Sequence, residues 1–149
     1  MIHTANFDGA CEPMNPGGWG GWGFVIHAPS GEELLAKGGL LPRGPAMTNN
    51  VAEYTAALEC VRAWIELRAG LGADARLELR GDSKLVVEQM CGRWQVKQGA
   101  YVVVYRELRA LLDAHAIAVT WTWIPRAENA RADELSKQEL VNAGVKIVH

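Results

Sequence analysis

Four acidic residues sit where the chain changes its local pattern: Asp8 in "NFDGACEPMNPGG", Glu53 in "TNNVAEY", Asp82 in "LRGDSKLVV" and Asp133 in "ENARADELSK". Each has a plain structural explanation. Asp8-Gly9 is a turn dipeptide, because both residues tolerate positive φ. Asn50 and Glu53 have capping-box spacing at a helix start. Asp82 is a candidate N-cap, and Asp133 stands four residues before Lys137 on one helix face. Taken together the four acids point to chemistry. Carboxylates held close repel one another unless a cation neutralises them, and oxygen donors without thiol or imidazole partners suit Mg²⁺ or Mn²⁺. Two such ions about 3.5–4 Å apart stabilise both the attacking and the leaving oxygen when a phosphodiester is cleaved in line.

Bringing these acids together sets requirements on the elements between them. Ile2 to Phe7, Trp19 to His27 and Glu32 to Leu40 have the composition of strands in an antiparallel meander, with Pro29-Ser30-Gly31 as a turn. The Gly9–Asn15 segment between the first two is expected to be a loop shaped by its Gly and Pro. After Pro42-Arg43-Gly44-Pro45 the period changes. Val51, Tyr54, Leu58, Val61 and Ile65 mark one face of a long helix that ends before Gly70. Ala75 to Arg80 is expected as a fourth strand, Ser83 to Met90 as a short helix stopped at Gly92, and Tyr101 to Ala114 as an amphipathic helix. Ile117 to Ile124 is expected as a fifth strand, with Trp121 and Trp123 on a central position in the sheet, and about Glu128 to Asn142 as a last helix. The order β-β-β-α-β-α-α-β-α implies an α/β fold, a mixed sheet with helices against its faces. Helical crossovers favour parallel pairing for the later strands.

The chain has 149 residues, 49% apolar and 21% charged, which fits one soluble globular domain spanning 1–149. Its net charge of −2 excludes a protein that holds nucleic acid mainly by bulk electrostatics. No apolar run approaches the roughly 20 residues of a membrane helix. Strand-like residues begin at Ile2 with no basic or apolar leader before them, so the expected location is cytoplasmic. Cys11, Cys60 and Cys91 are widely spaced, with no CxxC, and fit reduced structural thiols better than disulfides or a zinc site.

Four segments, "FDGACEPMNPGGWGGWGFVI", "TNNVAEYTAAL", "LRGDSKLVVEQM" and "WIPRAENARADELS", occur in the order of ribonuclease HI, the type 1 ribonuclease H family, which the chain resembles over essentially its whole length. The resemblance implies an RNase H-like fold, a five-stranded mixed sheet with strands one to three antiparallel and four and five parallel. It implies hydrolysis of the RNA strand of RNA–DNA hybrids by two Mg²⁺ ions, with Mn²⁺ as a substitute, leaving 5′-phosphate and 3′-hydroxyl ends. In that family Asp8 would bridge both ions, Asp133 would complete the ion that activates water, and Glu53 and Asp82 would hold the ion beside the leaving oxygen. Thr48 and Asn50 would bind a DNA-strand phosphate. Asn15, Asn49 and backbone groups from Gly9 through Cys11 to Asn15 would lie near the minor groove of the hybrid, where short residues can approach the RNA 2′-hydroxyls.

Some positions depart from the family pattern. The loop after the last strand, Pro125-Arg126-Ala127, lacks the histidine thought to help product leave, and Arg126 and His149 are the candidates for that auxiliary role. His3, His27 and His115 have plainer places in strands or loops. After Asp82-Ser83 stands Lys84 where many relatives have glutamine, and a lysine there meets a phosphate instead of a 2′-hydroxyl. The basic protrusion of some relatives is replaced by "GRWQVKQGAY". In it Trp94 has two readings of equal weight, an aromatic platform for the duplex or a residue packed on the core. The "DGACEP" spacing resembles archaeal-type and related bacterial members, in which double-stranded RNA is also cleaved and so is a second candidate substrate; a monomer is expected. Two other functions fit the fold: a non-catalytic module binding hybrid or RNA, and another nuclease.

Overall fold

The computed structural model describes all 149 residues. Strands β1 (Ile2–Glu12), β2 (Trp19–His27) and β3 (Glu33–Leu41) are followed by helix α1 (Asn49–Arg68), β4 (Arg76–Gly81), α2 (Lys84–Met90), α3 (Val102–Ala114), β5 (Val119–Trp123) and α4 (Ala130–Asn142). A 3₁₀ turn, Arg126–Glu128, leads from β5 into α4. The five strands form one mixed sheet in the order β3-β2-β1-β4-β5, antiparallel across β1, β2 and β3 and parallel across β1, β4 and β5. No helix is long and apolar enough to cross a membrane.

Two expectations need correction here. The first strand does not stop at Phe7 but continues to Glu12, pairing Asp8 with Gly23 and Glu12 with Trp19. Asp8-Gly9 is therefore strand, not turn, and the Gly9–Asn15 loop shrinks to the residues after Glu12. The fifth strand lies at the edge of the sheet rather than in its centre. There Trp121 is buried edge-on against Phe7, at 6.3 Å between ring centroids, and Trp123 is largely exposed.

Helix α1 is buried around nearly its whole circumference from Ala52 to Leu58, which is expected of a helix wedged between a sheet and a second helix. It contacts β1 and β2 on one side and α3 on the other. The seat of α1 on the sheet is Gly9: a Cβ there would lie 2.3 Å from the carbonyl carbon of Ala52 and from the amide of Glu53. The other face of the sheet carries α4. At Gly23, paired with Asp8, a Cβ would lie 2.6 Å from Leu135 Cβ and from the Ser136 amide. Paired residues share a face and successive residues alternate, so Gly9 of β1 and Gly23 of β2 let one helix backbone approach each face of the sheet at adjacent steps of the β1–β2 ladder. A core of 21 buried residues, with Phe7, Tyr54, Trp64 and Leu108 among the bulkiest, fills the α1 side.

Because the atoms facing Gly9 are main chain and cannot rotate away, Gly9→Ala must displace α1 and should cost about 3 kcal/mol, the upper end for overpacking. Urea denaturation checks this. A midpoint lowered in proportion at constant m-value is the expected result, and an unchanged midpoint would mean that α1 is not seated on Gly9.

Candidate active site

The parallel ladder between β1 and β4 ends at Phe7 and Gly81. Just past that end the amide of Gly9 donates to two carboxylates, Asp8 Oδ1 at 2.9 Å and Glu53 Oε1. Asp82 follows directly on β4. One oxygen from each of Asp8, Glu53 and Asp82 lies within 4.8 Å of the others. Asp133, in the first turns of α4, lines the same pocket, together with Gly9, Cys11, Glu12, Asn15, Asn49, Ser83, Arg126, Lys137 and His149. All four acids singled out in the sequence thus reach one cleft.

Local chemistry explains how each arrives. Helix α1 is capped by Thr48, whose hydroxyl accepts from the Val51 amide at 3.1 Å; the Asn50–Glu53 capping box does not form, and Glu53 is turned inward instead. Helix α2 is capped by Ser83, with its hydroxyl 3.3 Å from the Val86 amide, so Asp82 is not the cap and its carboxylate stays available to the site. The indole of Trp123 donates to the Asp82 carbonyl at 3.2 Å and steadies that corner. Asp133 does form the expected pair with Lys137, at 3.2 Å, and has Arg126 at 3.9 Å. Helix α4 is pinned to β1 by buried Asn129, which donates to the Phe7 carbonyl at 2.9 Å and accepts from the Asn6 amide group at 3.1 Å.

The remaining sequence candidates divide. Asn15 accepts from the Asn49 amide at 3.1 Å, tying the loop after β1 to the start of α1 at the pocket rim. Thr48 and Asn50 lie at the N-terminus of α1 outside the pocket lining. Lys84 is also outside it, its ammonium 5.3 Å above the Trp123 ring. Trp94 is 46% exposed on the α2–α3 connection, which removes the core-packing alternative. Sequence reasoning missed Glu12, Lys137 and Asn129 as parts of the site. Glu12 had a signal: Asp8, Ala10 and Glu12 share one side of a strand, but reading the stretch as a loop hid the period of two.

The site holds more acid than it can ionise unaided. Burial, then the charges of Asp82 and Asp133, push the Asp8 carboxyl up to about 7, while a hydrogen bond with Glu53 works the other way. Burial and the neighbouring Asp8 likewise hold Glu53 well above the usual carboxylate range. Glu53 Oε2 is buried without any hydrogen-bond partner. An unpartnered buried oxygen beside two other carboxylates is what a hard divalent cation would satisfy, so the residues fit Mg²⁺ or Mn²⁺.

A sign follows for stability. Raised carboxyl groups favour the fold fully below the unfolded-state value of about 4, and that contribution is lost as pH rises through about 7. In EDTA, Asp8→Asn should raise the melting temperature at pH 8.5 by about 3–8 °C and change it little at about pH 4, at or below the unfolded-state value. Thermal melts at the two pH values check this, and an equal gain at both would contradict the charge argument.

The family model described as "Reverse transcriptase-like" matches residues 6–139. A ribonuclease H of Rhodopseudomonas palustris is 32% identical over 154 aligned positions, covering 98% of this chain and 92% of that protein. A bifunctional protein of Mycobacterium tuberculosis is 37% identical over 126 residues, 85% of this chain but only 32% of its own length. Among solved structures, LC11-RNase H1, crystallised in complex with an RNA/DNA hybrid, superposes with a TM-score of 0.84 at 28% identity, covering 95% of this chain and 98% of that one. The matched span runs from the middle of β1 into the last turns of α4 and so includes every acid of the cleft, and the chain belongs to the ribonuclease H family, type 1.

Proposed function

We propose that this chain is a metal-dependent endoribonuclease that hydrolyses the RNA strand of RNA–DNA hybrids, leaving 5′-phosphate and 3′-hydroxyl ends. The observation that carries the reading is the convergence of Asp8, Glu53 and Asp82 within 4.8 Å, with Asp133 in the same cleft. A hybrid-binding relative of the same fold adds the substrate class. When bound, two Mg²⁺ or Mn²⁺ ions would supply an activated water and a charge partner for the leaving oxygen. Asp8 would hold both ions, Asp133 the one beside the water, and Glu53 and Asp82 the other.

The chain's own residues supply the rest. The Asn15–Asn49 pair and the small residues Gly9 and Cys11 form the wall that a minor groove can approach closely. Thr48 accepts from Val51 through its oxygen, which leaves its hydroxyl proton free for a DNA-strand phosphate at the α1 N-terminus, with Asn50 beside it. Ser83 lines the cleft next to Asp82, and Lys84, over Trp123, presents a cation to the backbone that follows. Exposed Trp94 offers a stacking platform away from the cleft. Arg126 and Lys137 balance Asp133 until cations arrive, and Arg126, beside Asp133, would help release the product phosphate.

The test uses labelled RNA–DNA hybrid, single-stranded RNA, double-stranded RNA and double-stranded DNA, each with Mg²⁺, Mn²⁺ or EDTA. Hybrid should be cut only with metal, and Asp8→Asn should lose about 10³-fold in rate, corresponding to several kcal/mol of charge stabilisation. Cleavage in EDTA, or full activity of Asp8→Asn, would overturn the metal reading. Metal-dependent cutting of DNA duplex but not hybrid would identify a different nuclease, and hybrid binding without cleavage a non-catalytic module. The double-stranded RNA arm decides whether that duplex is a second substrate.

A further inference from the structure

Glu12 has no role in the reading above, yet it is among the most completely buried charged side chains, at 1% exposure. Every partner of its carboxylate comes from the last two residues of the chain: the Val148 amide at 2.9 Å, the His149 amide at 3.2 Å, and Nδ1 of the His149 ring at 2.9 Å. Burial opposes its ionisation, but these donors outweigh it and hold the Glu12 carboxyl below the usual carboxylate range. The route back to β1 is built into the end of α4. Gly144 takes a left-handed φ of +80°, and the Val145 amide closes on the Leu140 carbonyl at 2.9 Å, which turns the chain out of the helix. With the tail in place the buried carboxylate has three donors, where a buried anion without donors would be costly.

Both Glu12 and His149 line the same cleft as the four acids. The carboxylate takes Nδ1 as a donor, so Nε2 is the ring nitrogen left for another partner. Glu12 lies four residues along β1 from Asp8, about 13 Å between their main chains at ordinary strand rise, and the His149 imidazole lines the cleft without belonging to the Asp8–Glu53–Asp82 group whose oxygens converge within 4.8 Å. We infer that Glu12 anchors the chain's last residues in the cleft so that His149 Nε2 contacts the RNA strand beside the cleavage position. This rests on the hybrid-cleaving function proposed above. His149 is then a substrate-binding residue, and Glu12 a positioning residue that never touches substrate.

The test compares wild type, His149→Ala, Glu12→Gln and the double variant in steady-state hybrid cleavage, with equilibrium binding of labelled hybrid to the metal-stripped proteins. His149→Ala should raise KM and the binding Kd about three- to tenfold, the loss of one hydrogen bond, with kcat within about twofold. Glu12→Gln should move KM in the same direction, and the double variant should be no weaker than His149→Ala, because both act through one contact. Unchanged KM and Kd in His149→Ala, a fall in kcat alone, or additive losses in the double variant would overturn the inference. His149 is 58% exposed, so its alanine variant decides the matter even if Glu12→Gln fails to fold. Failure of wild type to cut hybrid at all would overturn the proposed function instead, whatever the variants do.

Discussion

Asp8 and Glu53 are buried against each other with one shared backbone donor, the Gly9 amide, and the rest of the site answers the charge they would carry if both ionised. One amide cannot neutralise two carboxylates, and Asp82 and Asp133 add to the repulsion. The fold therefore maintains a local excess of negative charge that only protons or cations can relieve. At Asp133 the relief comes from Lys137 and Arg126; at Asp8 and Glu53 no basic side chain is paired. That asymmetry leaves the inner part of the cleft with unbalanced negative charge and its Asp133 side with two cations, Lys137 and Arg126.

The excess charge depends on close backbone approach. Gly9 of β1 admits α1 to one face of the sheet and Gly23 of β2, the partner of Asp8 in the ladder, admits α4 to the other, so Glu53 and Asp133 are delivered by helices seated at adjacent positions of the β1–β2 pair. Asp82 comes by a different route, from the C-terminal end of the neighbouring parallel strand, where the ladder has run out and opens a cleft. Buried Asn129 fastens α4 to β1 by bonding main chain and side chain at Phe7 and Asn6. Asp8, Glu53 and Asp133 thus sit on the strand and helices themselves, and Asp82 one residue past the end of β4.

Element order, sheet type and all four acids were legible in the sequence because long periodic segments and the family motifs carry them. The errors have a common physical origin. Gly9 to Glu12 reads as part of a loop because Asp8-Gly9 is a turn dipeptide and Pro13, Pro16 and Gly17 follow it, and because a strand segment buried on both faces lacks the alternation that marks a half-exposed one. Glu12 disappeared from view for the same reason. In "TNN" and "GDS" several adjacent residues could cap, and the choice of Thr48 and Ser83 follows from where each helix can dock, which a local pattern does not contain. The edge position of β5 depends on strand order, and Trp121 and Trp123 have the same local signature at an edge as in the centre.

The central claim is that the buried acids exist to hold divalent cations, and crystals grown with Mn²⁺ test it most directly through anomalous difference density. The account predicts strong peaks among Asp8, Glu53, Asp82 and Asp133, with Glu53 Oε2 becoming a ligand. Absence of density at saturating Mn²⁺, with the Asp8–Glu53 pair unchanged, would contradict it.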